Sequence, residues 1–189
     1  MLKHLAILEG KGVADLRKVR EPLFRELEAL RRDSDYNPAQ EPHRSCLREL
    51  NQMRISPLEA RAIFLAFRTV PYLRAKLAGV LERVRREVAN LEDSSERQNF
   101  DCPLLDGTRC LVHHAAKPVG CTAWNPGREY SKTGMRAFRE CDKLNDRVYG
   151  SHWKSRVIPL WLQRVFRVRA VPRARYKTGR PRRGIPPSG

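Results

Sequence analysis

The chain has 189 residues, with 38 Lys and Arg against 21 Asp and Glu, and a formal net charge of +17. This length suits one domain of ordinary size, and the 41 % of hydrophobic residues can form a modest core. The N-terminal apolar stretch is too short for a secretory signal. No apolar run approaches the roughly 20 residues that cross a bilayer. We therefore expect a cytoplasmic protein without a transmembrane segment.

Three segments in the first half predict helices. Residues 13–32 place Leu16 and Leu23 near one face, and Pro22 marks a kink or a late helix start. After a polar loop over residues 33–44, the run from Ser56 to Glu59 has the form of a capping box and begins a helix to about residue 68. A further helix spans about residues 71–91. Its charged residues are assigned to a solvated face: Arg74, Lys76, Arg83, Arg85, Arg86 and Glu87.

The second half changes character at residue 100. Residues 100–128 are rich in Pro and Gly, which argues against a long helix, whereas residues 134–148 again have helical composition. The fold class is therefore mainly α, a small helical domain with an irregular Cys-rich metal-binding segment and a disordered basic C-terminal tail. We divide the chain into an N-terminal helical segment (1–42), a cysteine-cluster domain (43–150) and a basic extension (151–189).

The C-terminal quarter is strongly basic. From Arg147 to Gly189 there are 12 Lys and Arg and no acidic residue. Residues 156–169 mix apolar bulk with cations, so they either lie on an anionic membrane surface or pack back on the domain. The chain from about residue 172 is predicted to be disordered. This tail either binds nucleic acid or another polyanion through its charge, or is a solvated tail without a partner.

The five cysteines are odd in number and contain no CxxC pair, so a secreted disulfide framework and a zinc ribbon are both disfavoured. Cys102 and Cys110 flank the pair Asp106-Gly107, which favours a chain reversal. Lys117-Pro118 adds a second bend before Cys121. Reversals of this kind let thiols converge, and neighbouring cations favour the thiolate form that binds metal; these cations are Arg109, Lys117, Arg128 and Arg139. The alternative is that each cysteine is a small buried hydrophobe.

This pattern resembles the YkgJ-type cysteine-cluster proteins, a family described as a zinc- or iron-chelating domain. The residues that resemble the family follow in its order: Cys102, Asp106-Gly107, Cys110, Lys117-Pro118, Cys121 and Cys141-Asp142. The resemblance covers about residues 43–146 and includes the helix start at Ser56. It implies a bound zinc ion or an iron or iron–sulfur centre.

The chain also departs from the family pattern. The first cysteine group of the family is reduced here to Cys46, with His43 as a nearby substitute, and the aromatic residue after the second cysteine is replaced by His113 or His114. One four-ligand site remains available from Cys102, Cys110 and Cys121, completed by Cys46 or Cys141. Ligation by a histidine stays open, and Trp124 either shields the metal or fills the core.

Three functions follow from these observations. The first is a metal-binding protein holding a zinc ion or an iron–sulfur cluster. The second is a basic nucleic-acid- or ribosome-associated protein in which the cysteines are structural. The third is a metal-dependent redox or protein-methylating enzyme, for which no catalytic residue is identified. Some relatives of the family methylate flagellin lysines, but nothing in this sequence indicates a methyl-donor site, so that activity is not carried over. Thiolate ligands suit both zinc and iron, so the sequence leaves the metal open.

Overall fold

The structure is a computed structural model that describes residues 2–33, 44–123 and 130–169. It is mainly helical, as predicted. The elements, in chain order, are α1 (Leu2–Asp33), a short 3-10 helix (Arg44–Cys46), β1 (Arg54–Ile55), α2 (Pro57–Thr69), α3 (Pro71–Val88), β2 (Leu105–Asp106), β3 (Arg109–Cys110), α4 (Val119–Ala123), α5 (Lys132–Tyr149), β4 (Arg156–Val157) and α6 (Ile158–Val165).

The first helix is longer than predicted. It begins at Leu2 and continues through Pro22, whose side chain is exposed. Proline removes one backbone hydrogen bond and does not by itself end the helix, because the apolar face continues past it. Leu16 and Leu23 on that face are buried. This face packs against α5, α2 and α4.

The predicted capping box at the start of α2 is confirmed. The Ser56 hydroxyl accepts from the Glu59 backbone N–H, and the Glu59 carboxylate accepts from the Ser56 backbone N–H at 2.8 Å. Pro57 occupies the first turn, where it has no hydrogen bond to lose. Val70 is extended and separates α2 from α3. Burial of Leu58 and Phe67 places α2 in the centre of the core.

The C-terminal segment packs on the domain. Strand β4 pairs antiparallel with β1, and α6 contacts α3 and α2. Ile158 and Leu162 are fully buried, which corresponds to the packed arrangement rather than to an apolar face lying on a membrane. In the parts of the chain that the structure describes, no helix is long and apolar enough to cross a membrane.

The basic side chains of this segment have local partners. The guanidinium groups of Arg156 and Arg164 both pair with Asp93 and both lie over the ring of Trp161, 5.3 and 5.8 Å from its centroid. The predicted disordered tail from about residue 172 lies outside the described residues, so its predicted disorder stays a prediction.

Candidate functional site

Four of the five cysteines come from separate segments and lie near one another. Cys46 ends the 3-10 helix, Cys102 precedes the β2–β3 hairpin, Cys110 ends β3 and Cys121 lies in α4. Negative charge at Cys46, Cys110 or Cys121 raises the pKa of the Cys102 thiol. These four residues are called the thiol cluster below.

Cys46 and Cys102 are in direct contact. Their thiols are hydrogen-bonded to each other, and the backbone N–H of Cys102 donates to the carbonyl of Cys46 at 2.8 Å. The Asn51 amide donates to the same carbonyl at 3.3 Å. Two segments that are 56 positions apart in the sequence are therefore joined at this pair.

The β2–β3 hairpin brings Cys110 back toward Cys102, as the Asp106-Gly107 pair predicts. Leu105 is paired with Cys110 across the hairpin, and Gly107 has a φ of 58°. Glycine adopts this left-handed conformation without the steric cost that a β-carbon brings. Asp106 also pairs with Lys76 on α3 at 2.9 Å, which ties the turn to the helix.

Cys121 is positioned by contacts of α4 with α2 and with the residue before β1. The backbone N–H of Val119, in the first turn of α4, donates to the buried carboxylate of Glu59 at 2.8 Å. A β-carbon at Gly120 would lie 2.6 Å from the Met53 sulfur. The absence of a side chain at Gly120 therefore allows α4 to approach the segment before β1 closely.

Burial outweighs the positive charge of Lys117 at Cys110 and Cys121. It raises the pKa of Cys110 to about 11 and raises that of Cys121, and at both residues Lys117 opposes it. The pKa of Cys102 is raised by its hydrogen bond to Cys46 and by burial. Lys117 therefore acts on Cys110 and Cys121 in the expected direction, but the expectation that these thiols are shifted toward the thiolate is wrong for Cys102, Cys110 and Cys121.

Cys46 differs from the other members of the thiol cluster. The hydrogen bond from Cys102 lowers the pKa of Cys46 to about 7 despite burial, with smaller contributions from Lys117 and Ser45. A hydrogen bond to the thiolate favours its charged form. Cys46 is also partly exposed, whereas Cys102 keeps only 8 % of its surface in solvent.

Cys141 lies in α5 among different neighbours. Its sulfur is 3.8 Å from the Ser56 hydroxyl and 3.6 Å from the Asn145 amide nitrogen. Burial and the nearby Glu59 carboxylate raise its pKa. Cys141 therefore lies next to Ser56, Asn145 and Glu59, a group of buried polar side chains at the start of α2.

Of the histidines proposed as substitute ligands, the structure describes His113 and His114. The ring of His113 meets Phe24 of α1 edge-on, with centroids 5.9 Å apart, and also contacts His114 at 4.6 Å. His114 is exposed. His43 and Trp124 lie outside the described residues, so their predicted roles stay predictions.

The buried carboxylate of Glu87 bonds to residues next to Cys46 and Cys102, and the sequence did not lead us to expect it. Glu87 was expected on the solvated face of its helix but is 1 % exposed, and this expectation is wrong. Its carboxylate accepts from the Arg48 guanidinium at 2.5 Å and from the Asp101 backbone N–H at 3.1 Å. The Asp101 carboxylate accepts from the Arg48 backbone N–H at 2.9 Å. We call Arg48, Glu87 and Asp101 the clamp.

The spacing of α3 contains the signal for Glu87. It follows the buried Val80 by seven residues and Val84 by three, and these intervals share one face of a helix. An acidic residue on that face predicts a buried carboxylate with a dedicated basic partner.

Within residues 2–33, 44–123 and 130–169, no group of three or more His, Cys, Asp or Glu side chains is arranged so that it could hold a metal ion. No protein-family model, curated protein or solved structure matches the chain.

Proposed function

We propose that this is a metal-binding protein whose ligands are the four sulfurs of the thiol cluster. The observation that carries the proposal is the convergence of Cys46, Cys102, Cys110 and Cys121 from four segments into mutual electrostatic range. Cys46 and Cys141 are the two candidates to complete the set, and the proximity of Cys46 to the other three thiols favours Cys46. The resemblance to the YkgJ-type family supports the same function.

The chemistry of the donor set suits a soft metal. Four sulfur ligands are typical of structural zinc and of iron–sulfur centres. Lys117 acts to lower the pKa of Cys46, Cys110 and Cys121. Its positive charge would offset part of the negative charge of four thiolates.

Binding would complete the site. Among the described residues no three His, Cys, Asp or Glu side chains are already arranged to hold a metal ion, so the metal would draw the four thiols together and displace their protons. Such coupling is expected where ligation contributes to the stability of an irregular segment. The segment between α3 and α5 contains only two-residue strands and the short α4 among its described residues, so a metal cross-link would stabilise it most.

The test is anaerobic purification of the full chain with reductant, followed by elemental analysis and an optical spectrum. We expect about one zinc ion or one iron centre per chain. Zinc would leave the sample colourless, whereas an iron–sulfur centre would absorb visible light. Cys110→Ser should lower metal content and thermal midpoint together, because ligation and folding are linked.

Cys141→Ser is the matched control, since it removes a buried sulfur that lies outside the thiol cluster. We expect its metal content to equal that of the wild type. Full occupancy with unchanged melting in Cys110→Ser would remove Cys110 from the site. Loss of metal in Cys141→Ser, with full occupancy in Cys46→Ser, would make Cys141 the fourth ligand.

A further inference from the structure

Cys46 and Cys102 are close enough for their thiols to interact directly. Their thiols are hydrogen-bonded, and the backbone bond between the same two residues is 2.8 Å long. An S–S bond between these residues therefore needs only a short approach of two sulfurs already in contact.

The clamp fixes the backbone on both sides of the pair. Glu87 binds the Asp101 backbone N–H and the Arg48 side chain, and Asp101 binds the Arg48 backbone N–H. Arg48 is two residues after Cys46, and Asp101 immediately precedes Cys102. These bonds hold the backbone next to Cys46 close to the backbone next to Cys102.

The two cysteines differ in access to solvent. Cys46 is partly exposed and Cys102 is buried at 8 % exposure. A small oxidant arriving from solvent therefore meets Cys46 first, and Cys102 is positioned behind it to complete the reaction.

We propose that Cys46 and Cys102 form a dithiol–disulfide redox pair that is oxidised by a low-molecular-weight disulfide. Cys46 loses its thiol proton and its sulfur attacks one sulfur of the small disulfide. The small S–S bond breaks, a mixed disulfide forms on Cys46, and the departing thiolate takes up a proton.

Cys102 then loses its proton and attacks the Cys46 sulfur of the mixed disulfide. The bond between Cys46 and the small molecule breaks, and the second small thiolate takes up a proton. Overall, two protein thiols are oxidised to one disulfide and one small disulfide is reduced to two thiols. A small dithiol reverses the reaction by the same exchange.

The pair also bears on metal binding. A disulfide uses two of the four sulfurs of the thiol cluster, so oxidation would release the metal; this consequence rests on the proposed function. The redox pair itself does not require the metal.

The test uses the full-length reduced protein, after treatment with a chelator, and oxidised glutathione as the probe. Intact mass and peptide mapping should show the loss of two hydrogens and a link between the peptides holding Cys46 and Cys102. Cys102→Ser should stop at the first step and carry one glutathionyl group on Cys46. Cys141→Ser is the matched control, because it removes a buried thiol outside the thiol cluster, and it should retain the link.

Wild-type protein that forms no link, or links other cysteines, would overturn the proposal without reference to any variant. A glutathionyl group on another residue of Cys102→Ser would also overturn it. Zinc binding is measured separately on the same reduced sample. A Cys46–Cys102 link in protein that binds no metal supports the redox pair and refutes the metal site, whereas metal binding without the link does the reverse.

Discussion

At the scale of single residues, Glu87 explains how two distant segments are held beside α3. Its carboxylate is almost fully buried, and it bonds to one group from the turn after Cys46 and one from the residue before Cys102. A buried charge is tolerated only where partners replace the lost hydration, and Arg48 and Arg86 are the charged partners here. Glu87 therefore supports the backbone on which Cys46 and Cys102 lie, although its side chain belongs to neither thiol.

Glu87→Gln should lower the free energy of unfolding by about 1–3 kcal/mol. The amide keeps the shape of the side chain but removes the charge that faces Arg48. One oxygen of Glu87 accepts both hydrogen bonds, so the Gln oxygen can keep them only if its NH2 group turns toward the Arg86 guanidinium, which lies 3.5 Å from the other oxygen. Arg48 is partly exposed, so solvent limits the loss. Denaturant titration followed by circular dichroism measures it.

Glu82→Gln is the matched control on the same helix. Glu82 is exposed and pairs with Arg85 at 3.1 Å, and exposed pairs of this kind contribute at most about 1 kcal/mol. The control should therefore change stability by less than the Glu87 variant. Equal losses in the two variants would show that the clamp adds nothing beyond ordinary surface charge.

The site residues differ in how far the sequence predicts them. The hairpin that returns Cys110 follows from Asp106-Gly107, because turn chemistry is local. The contact between Cys46 and Cys102 does not follow, since it depends on a clamp assembled from three distant segments. Glu87 was misassigned because its charge was weighed above its helical position, although its spacing from Val80 and Val84 contained the correct answer.

At the scale of elements, the close packing of α1 against α2 and α5 requires the glycine at position 12. A β-carbon at Gly12 would lie 2.9 Å from the Val148 side chain of α5 and 3.0 Å from Leu58 of α2. The missing side chain lets three helices meet closely around the start of α2. Gly10 lies one half-turn earlier on α1, and a β-carbon there would meet nothing within 4 Å.

Gly12→Ala and Gly10→Ala should change stability in opposite directions. Both substitutions favour the helix by up to about 1 kcal/mol. At Gly12 the clash with two branched side chains should outweigh this gain, since overpacking costs about 1–3 kcal/mol. Thermal unfolding should therefore show a lower midpoint for Gly12→Ala and a higher one for Gly10→Ala. A higher midpoint for both would mean that the helices yield without cost.

This glycine also explains why the length of α1 was underestimated. The predicted helix begins at Val13, and Gly10 and Gly12 lie before that point, where glycine lowers helix propensity. Packing against α5 and α2 reverses that preference at Gly12. The start of α2 was predictable because its capping box involves residues three apart, whereas the start of α1 depends on contacts across the whole fold.

At the scale of the whole molecule, part of the positive charge lies on arginines that bond to backbone carbonyls of the domain, and part lies in the C-terminal tail. Several arginines of the described part donate to backbone carbonyls. Arg20 binds the Lys117 carbonyl at 3.0 Å, Arg54 the Ser155 carbonyl at 2.7 Å and Arg83 the Pro103 carbonyl at 2.9 Å. These side chains stabilise the irregular segments, which reduces their availability to an external anion.

The C-terminal tail should supply the salt-dependent part of any binding to nucleic acid. Residues 172–189 contain six Lys and Arg and no acid. Six contacts to duplex DNA would give a log–log slope of binding constant against salt of at most about −5, at roughly −0.9 for each phosphate neutralised. Deleting residues 172–189 should flatten this slope and leave metal content and helical signal unchanged, because the described core does not include them.

A full-length variant with the six tail cations changed to Gln separates charge from chain length. If charge is responsible, this variant should match the deletion in fluorescence-anisotropy titrations at several salt concentrations. An unchanged slope in both would assign binding to the folded domain, whose exposed cations would then be the contacts. If the wild type does not bind at ordinary salt, the nucleic-acid function is wrong, because non-specific affinity depends mainly on such charge. The tail would then be solvated chain attached to a domain whose own chemistry resides in its thiols.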